Sequence, residues 1–145
     1  VELPPLSLVD QVFTDYRTSG LSLKAHPLAF FRRKLDGLRV TAAQELARGR
    51  PGRQLRVAGL VLLRQRPSTA KGITFVTLED ETGVINLVVK QGIWERYYTV
   101  ARRSPAWIAH GQLERKDAVI HVLVNRIEDL SQTLGGLATS SRDFR

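Results

Sequence analysis

The sequence predicts a small, mainly β barrel of five strands, with a helix between the third and fourth strands. Five segments are rich in β-branched and aromatic residues, which favour pleated and half-buried strands. Between the third and fourth segments, residues 91–103 change to a helical period. Polar turns separate the adjacent strands. This order is that of the OB-fold, a five-stranded Greek-key barrel.

The first three strands are predicted from apolar patterning and turn residues. Apolar residues alternate through residues 55–63, with Gly59 in the middle. A glycine inside a strand is typical of a bulge or bend, which a small barrel needs in order to close. Residues 73–78 and 84–89 are predicted to form a hairpin across a polar turn that ends in Gly83.

The helix and the last two strands complete the barrel. In the OB-fold the helix covers one end of the barrel, so Trp94 and Tyr97 are predicted to pack on the core rather than to stack on a ligand. Two further strands are predicted over residues 107–114 and 118–127, joined by a short basic turn.

Three parts are predicted along the chain. Residues 1–50 are predicted to form short helices that link to a preceding body, and residues 54–130 to form the barrel. Residues 131–145, which contain many Ser, Thr and Gly residues, are predicted to form a flexible tail. The sequence begins without Met, which predicts that it is a piece of a longer protein.

Within residues 1–50, capping signals predict three helices. A capping box at Ser7 opens the first helix, Pro27 begins the second, and another capping box at Thr41 opens the third. The basic triplet at residues 32–34 is typical of a solvated helix face.

Composition limits the classes of function. The 145 residues, 43% of them hydrophobic, suffice for one core, and the absence of Cys excludes disulfides and thiolate chemistry. No apolar run approaches the roughly 20 residues of a membrane span and no signal peptide is present, so a cytoplasmic protein with no membrane partner is expected. The net charge of +8 indicates a polyanionic partner, most simply nucleic acid.

A single-stranded DNA interface is predicted from the positions of the basic and aromatic residues. OB-folds bind single strands across strands 2 and 3 and the loops that join strands 1–2 and 4–5. Phe75 is the one aromatic residue of the hairpin, and the alternation leaves open whether it faces the core or the ligand. The predicted binding residues are Arg64, Arg66, Lys71, Phe75, Asn86, Arg115, Lys116 and His121.

No catalytic or metal site is predicted within these residues, and no cofactor is expected to bind them. Glu79, Asp80 and Glu81 are consecutive in a turn, where they cannot easily converge on one ion. They are predicted to form a solvated acidic turn with capping roles. The three His residues are scattered and have no Cys partners, which disfavours a zinc site.

Several segments carry a family resemblance, among them residues 57–61, 64–67, 69–72 and 75–83. These segments are similar to the C-terminal OB region of bacterial C-family DNA polymerases, relatives of the polymerase III alpha subunit. Further segments favour the error-prone, damage-tolerant branch of that family. They are residues 21–28, 120–122, 128–130 and 141–145.

The resemblance implies a parent enzyme that extends DNA across lesions during an SOS-type response and contributes to induced mutagenesis. The family's catalytic aspartates, which would bind Mg²⁺, lie in a palm domain upstream of the OB region. The resemblance further implies accessory damage-tolerance proteins as partners and, through them, the sliding clamp. No clamp-binding peptide is present in these residues.

Two alternatives remain open at this point. The barrel can instead be a protein-docking module that recruits the polymerase to accessory proteins. It can also be the anticodon-binding OB domain of a class II aminoacyl-tRNA synthetase, whose second strand ends in a similar turn. The upstream helices and the Ser-rich end of the sequence disfavour the synthetase.

Overall fold

In the computed structural model, which describes residue 13 and residues 26–135, the predicted five-stranded OB barrel is confirmed. A helix lies between strands 3 and 4, as expected. The elements are α1 (Pro27–Gly37), a 3₁₀ helix (Ala43–Arg48), β1 (Gln54–Gln65), a short 3₁₀ turn (Ser68–Ala70), β2 (Thr74–Asp80), β3 (Gly83–Val89), α2 (Gln91–Arg96), α3 (Tyr98–Arg103), β4 (Ala106–Lys116) and β5 (Val119–Asp129). In this part of the chain, no helix is long and apolar enough to cross a membrane.

The strands close into a barrel in the order β1-β2-β3-β5-β4. Four of the pairings are antiparallel, and β3 pairs with β5 in parallel through Leu87 opposite Val122 and Val88 opposite Leu123. The parallel pairing places the start of β5 near the start of β3. The β4–β5 turn and the β2–β3 turn therefore lie at the same end of the barrel, and the β1–β2 loop lies at the other end.

The interior of the barrel decides the orientation of the hairpin. Thr74, Val76 and Leu78 of β2 are buried, so Phe75 and Thr77 face outward by alternation. Phe75 is 40% exposed, which answers the question that the sequence left open. The barrel core consists of Leu46, Val57, Val61, Val76, Leu78, Ile85, Leu87, Val89, Ala101, Trp107, Ala109, Leu113, Val122, Val124 and Ile127.

A second apolar cluster covers the outside of β1 and β4. Ala58 and Leu60 of β1 are fully buried beneath α1, which packs Leu28, Phe31 and Leu35 against them. The middle of β1 is therefore buried on both faces. Residues 26–48 are consequently part of the same folded unit as the barrel and share its hydrophobic interior.

Gly59 allows a close approach between strands rather than the predicted bulge. A Cβ atom at Gly59 would lie 2.8 Å from the carbonyl oxygen of Glu79 on β2, closer than real Cβ contacts. The irregular pairings lie elsewhere, between Val61 and Leu63 and between His110 and Gly111. The sequence pattern identified Gly59 as a glycine with a structural role. That role depends on strand β2, which lies directly against it.

The helical region between β3 and β4 is two short helices, not the single helix predicted over residues 91–103. It breaks at Tyr97, whose φ of −109° and ψ of 29° lie outside the helical range. The break leaves the apolar face in contact with the barrel: Trp94 and Tyr97 are partly buried against the core, as predicted.

The predicted helix starts have three different outcomes. Helix α1 begins at Pro27 as expected, and His26 caps it by accepting a hydrogen bond from the Leu28 amide (3.1 Å). The capping box at Thr41 is wrong, because the 3₁₀ helix starts at Ala43 and has no side-chain cap from its own N-cap residue. The helix predicted after Ser7 lies outside the described residues, except for Phe13, which is fully buried.

The prediction of a flexible tail from residue 131 is wrong for residues 131–135. Residues 130–135 are helical, and Leu130 and Leu134 are fully buried in the cluster beneath α1. The two leucines lie one helical turn apart and therefore face the same surface. Residues 136–145 lie outside the described part of the chain.

Candidate nucleic-acid interface

The outer face of the β2–β3 hairpin is an open surface with one aromatic side chain near its β1–β2 end. Phe75 lies opposite Val88 of β3, and the next outward pair is Thr77 and Asn86. On the other side, Gln65 of β1 lies opposite Phe75. Asn86 and Gln65 are exposed. A base can therefore reach the ring of Phe75 with hydrogen-bonding side chains on both sides of it.

Cationic side chains lie at the β1–β2 end of this face. Arg66 is exposed, and its Nε donates to the Thr74 hydroxyl (3.1 Å) while its guanidinium lies 5.6 Å from the centre of the Trp94 ring. Lys71 is also exposed, in a left-handed conformation with a φ of 41°. Arg66 is thus held in place, whereas Lys71 extends from the loop.

Lys90 is a further cation at this end that was missed from the sequence. It is exposed and follows Asn86 and Val88 in the outward alternation of β3. That alternation was the signal that could have identified it, since a residue just after a strand often keeps the same phase. We add Lys90 to the candidate interface.

Arg64 is not part of the candidate interface. It lies within β1, and its guanidinium donates to the carbonyl oxygens of Ala101 (2.7 Å) and Ser104 (2.6 Å) at the end of α3. The same group lies 5.9 Å from the centre of the Trp107 ring. These contacts stabilise the C-terminus of α3 against the barrel, which sequence spacing alone did not reveal.

Arg115 and Lys116 lie at the opposite end of the barrel, on β4, which β5 separates from the hairpin. They are the last residues of β4 rather than turn residues, and both are exposed. The Arg115 guanidinium donates to the carbonyl oxygen of Ala47 (2.8 Å). His121 on β5 is partly buried, and its Nε2 lies 3.1 Å from Glu114. Contact of any of these side chains with DNA stays a prediction.

The acidic turn between β2 and β3 is not fully solvated as predicted, because Asp80 is buried and Glu79 and Glu81 are partly buried, but the predicted capping role is present. The carboxylate of Asp80 accepts hydrogen bonds from the amides of Ala43 (2.8 Å), Thr82 (2.7 Å) and Gly83 (3.1 Å). Its side chain has no exposed surface. Asp80 therefore caps the 3₁₀ helix and closes its own turn at the same time.

Arg32 neutralises this turn from helix α1. Its Nε donates to Glu81 (2.6 Å) and its Nη2 to Asp80 (3.3 Å), and only 18% of its side chain is exposed. The prediction of a solvated basic triplet is therefore wrong for Arg32, while Arg33 and Lys34 are exposed. Within the described residues, no group of three or more His, Cys, Asp or Glu side chains could hold a metal ion.

The contacts around the acidic turn lower the pKa values of two side chains, Glu81 and His26. The hydrogen bond from Arg32 holds the pKa of Glu81 below its usual 4.5. Burial lowers the pKa of His26 below 6.5, although Glu79 lies 3.2 Å from its Nε2 and opposes the shift. Since the His26 Nδ1 accepts the Leu28 amide, protonation of that nitrogen would also remove the cap of α1.

We expect the free energy of unfolding to fall on acidification in two steps. The lowered pKa of His26 means that the unfolded chain binds a proton first, so stability is lost as the pH falls from about 7 through the folded-state pKa. Glu81 contributes stability above 4.5 that is lost as the pH falls through its lowered pKa. Urea unfolding between about pH 8 and pH 3 measures both steps.

The variant His26→Asn is the control for this prediction, because Asn caps helices but does not titrate in this range. The variant should not show the loss of stability that we assign to His26, and it should still show the loss that we assign to Glu81. If the wild-type and variant chains show the same loss of stability between about pH 7 and pH 5, the assignment to His26 is wrong.

Comparison with known proteins identifies the class of this fold and surface. Residues 55–130 match the family described as "OB-fold nucleic acid binding domain", which is more than half of the chain. The chain belongs to this family of OB-fold nucleic-acid-binding domains.

The sequence relatives narrow the comparison to one kind of enzyme. The chain is 56% identical over 144 residues to an error-prone DNA polymerase of Rhodopirellula baltica, covering 99% of the chain and 13% of that protein. It is 47% identical over 137 residues to the error-prone DNA polymerase of Caulobacter vibrioides, again 13% of that protein. The predicted resemblance is confirmed, and the chain spans about an eighth of the length of these relatives.

Solved structures agree on the fold alone. An asparaginyl-tRNA synthetase of Pyrococcus horikoshii matches with a TM-score of 0.53 at 20% identity, over 63% of this chain and 22% of that one. The aspartyl tRNA synthetase of Entamoeba histolytica matches with a TM-score of 0.52 at 13% identity, over 63% of this chain and 21% of that one. The much higher identity to polymerases, over nearly the whole chain, disfavours the synthetase alternative.

Proposed function

We propose that this domain binds single-stranded DNA across the outer face of the β2–β3 hairpin. The observation that carries the proposal is the 40% exposure of Phe75, with exposed cations at both ends of the barrel. Bases stack on aromatic rings without regard to sequence, and Lys or Arg side chains neutralise the phosphates between them. A single aromatic platform is consistent with weak binding that tolerates many sequences.

The positions of the cations indicate the path of the DNA strand over the barrel. Arg66, Lys71 and Lys90 lie at the β1–β2 end, and Lys116 lies at the β4–β5 end. A strand that contacts both sets of cations can cross the hairpin between them, over Phe75 and Asn86. Asp80 and Glu81 of the β2–β3 turn do not oppose this path strongly, because Arg32 pairs with both carboxylates.

A protein-docking function is the second candidate, and the apolar side chains on this side of the barrel favour it. Leu62 is 41% exposed and Leu63 46% on β1, and Val84 is 55% exposed on β3. A protein partner would bury these residues together with Phe75. Such a partner gives affinity that depends little on salt, whereas DNA binding depends on it steeply.

The proposal predicts binding of a labelled single strand of roughly 12 nucleotides at low salt, in the micromolar range or weaker. Replacing Arg66, Lys71 and Lys116 together with Gln should weaken binding. It should also reduce the slope of log Kd against log salt by about 2, since each single-strand phosphate contact contributes about 0.7. Fluorescence anisotropy at several salt concentrations measures both quantities.

The matched control replaces Arg33, Lys34 and Arg39, three exposed cations of the α1 region, with Gln. The control has the same net charge as the test variant but keeps the proposed interface. Absence of binding by the wild-type chain at low salt would sink the proposal. Equal salt slopes for the test and control variants would show attraction by net charge alone.

At the level of the parent protein, we propose an error-prone polymerase that acts in translesion synthesis and induced mutagenesis in the cytoplasm. The relatives named error-prone DNA polymerase support this proposal. Mg²⁺ chemistry is assigned to residues outside this chain. Accessory damage-tolerance proteins, and through them the sliding clamp, are the proposed partners of the assembled enzyme.

A further inference from the structure

We infer that the loop before the barrel, residues 48–53, is a second phosphate-binding element that lengthens the strand's path beyond the β4–β5 end. This arginine loop contains Arg48, Arg50 and Arg53, all of them exposed. The inference rests on the proposed binding of single-stranded DNA and increases the length of DNA that the domain contacts.

The arginine loop is fixed to the barrel by its backbone. The amide of Gly52 donates to the carbonyl oxygen of Leu113 (2.7 Å). The amide of Leu113 donates in turn to the carbonyl oxygen of Arg53 (2.9 Å). Gly49 packs so closely on the Leu113 side chain that a Cβ there would lie 2.5 Å from it. The three arginines therefore extend from a positioned backbone, which reduces the entropy lost when they bind.

The arginine loop continues the cationic end of the candidate interface. Arg115 donates to the carbonyl oxygen of Ala47, one residue before the loop, and Lys116 follows it on β4. A strand that passes Lys116 at the end of β4 thus meets the arginine loop directly. Contact with three more phosphates would follow without any change in the barrel.

The charges near the arginine loop leave it strongly positive. Glu45 lies 3.8 Å from Arg48, and both side chains are largely exposed. In the described part of the chain, neither Arg50 nor Arg53 has an ion pair. Exposed arginines without a carboxylate partner are available to phosphates.

A cleft of about 510 Å³ opens beside the arginine loop and gives the strand a concave surface. Arg48 and Arg53 line it, with Gln44 and Thr82 as hydrogen-bonding groups and Leu55 as an apolar wall. The carboxylates of Asp36, Glu45 and Glu81 also line the cleft, and Glu81 is neutralised by Arg32. Phosphates are therefore expected on the arginine side of the cleft rather than at its centre.

The test compares two oligothymidines, of roughly 6 and roughly 14 nucleotides, which lie near the two ends of the range that OB-folds cover. The triple variant Arg48→Gln, Arg50→Gln, Arg53→Gln should bind the short strand as the wild type does. Its affinity for the long strand should fall about tenfold, and its salt slope on the long strand should fall by about 2. The variant with three Lys residues at these positions should keep both values.

Each outcome separates the inference from the proposed function. If the wild-type chain binds both strands but the Gln variant keeps its affinity for the long strand within about twofold, the inference is wrong and the hairpin interface stands. If the wild-type chain binds neither strand, the proposed function fails first. Thermal unfolding of the Gln variant should match that of the wild type, since the three side chains are exposed.

Discussion

Replacing Asp80 with Ala should cost about 3–5 kcal/mol of unfolding free energy, the loss typical of a buried charge partner that is removed. Three backbone amides, those of Ala43, Thr82 and Gly83, would lose their acceptor inside the protein. The Nη2 of Arg32 would lose one of its two carboxylate partners. Urea unfolding monitored by circular dichroism measures the change.

Two further variants make this prediction specific. Asp80→Asn keeps the shape and one acceptor oxygen, so it should lose less stability than the Ala variant. Glu45→Ala removes an exposed carboxylate that lies 3.8 Å from Arg48, and it should change the free energy by no more than about 0.5 kcal/mol. An Asp80→Ala chain as stable as the Glu45→Ala chain would show that the buried turn contributes little.

The second large effect is expected on binding. Phe75→Ala should weaken affinity for single-stranded DNA by about 5- to 150-fold, the equivalent of losing about 1–3 kcal/mol of base stacking. Because the ring is 40% exposed, its removal should cost little stability. Anisotropy titration with the labelled strand measures the affinity, and thermal unfolding confirms that the chain is folded.

Val84→Ala is the matched control for Phe75. Val84 is 55% exposed on the same hairpin but offers no ring for stacking. Its truncation should leave DNA affinity within about twofold of the wild type. Phe75→Tyr, which keeps the ring, should bind as the wild type does. Equal losses of DNA affinity in the two Ala variants would show general apolar contact rather than base stacking.

The proposed location of the domain in a longer polymerase gives these predictions their context. The matched relatives are about eight times longer than this chain, and in a parent protein of that length the proposed strand contacts would belong to a larger DNA-binding surface. Weak binding by one module can contribute strongly when it is linked to another, because the second contact becomes intramolecular. The weak affinity proposed for the isolated domain is therefore compatible with a function in the whole enzyme.

The sequence by itself determined the barrel and its family. Neighbouring residues determine the alternation within the strands, the change of period at residue 91 and the turn before Gly83. These features can therefore be recognised in the sequence. Start signals such as Pro27 also act locally and gave the correct helix. The resemblance to error-prone polymerases needed only the order of residues.

Tertiary structure alone decided which charged and aromatic residues are available to a ligand. Arg64 and Arg32 look like free cations in the sequence, but the carbonyls of α3 and the carboxylates of the β2–β3 turn hold them. Phe75 faces outward because Val76 and Leu78 fill the barrel. These outcomes depend on contacts between residues far apart in the chain, and such contacts leave no periodic trace in the sequence.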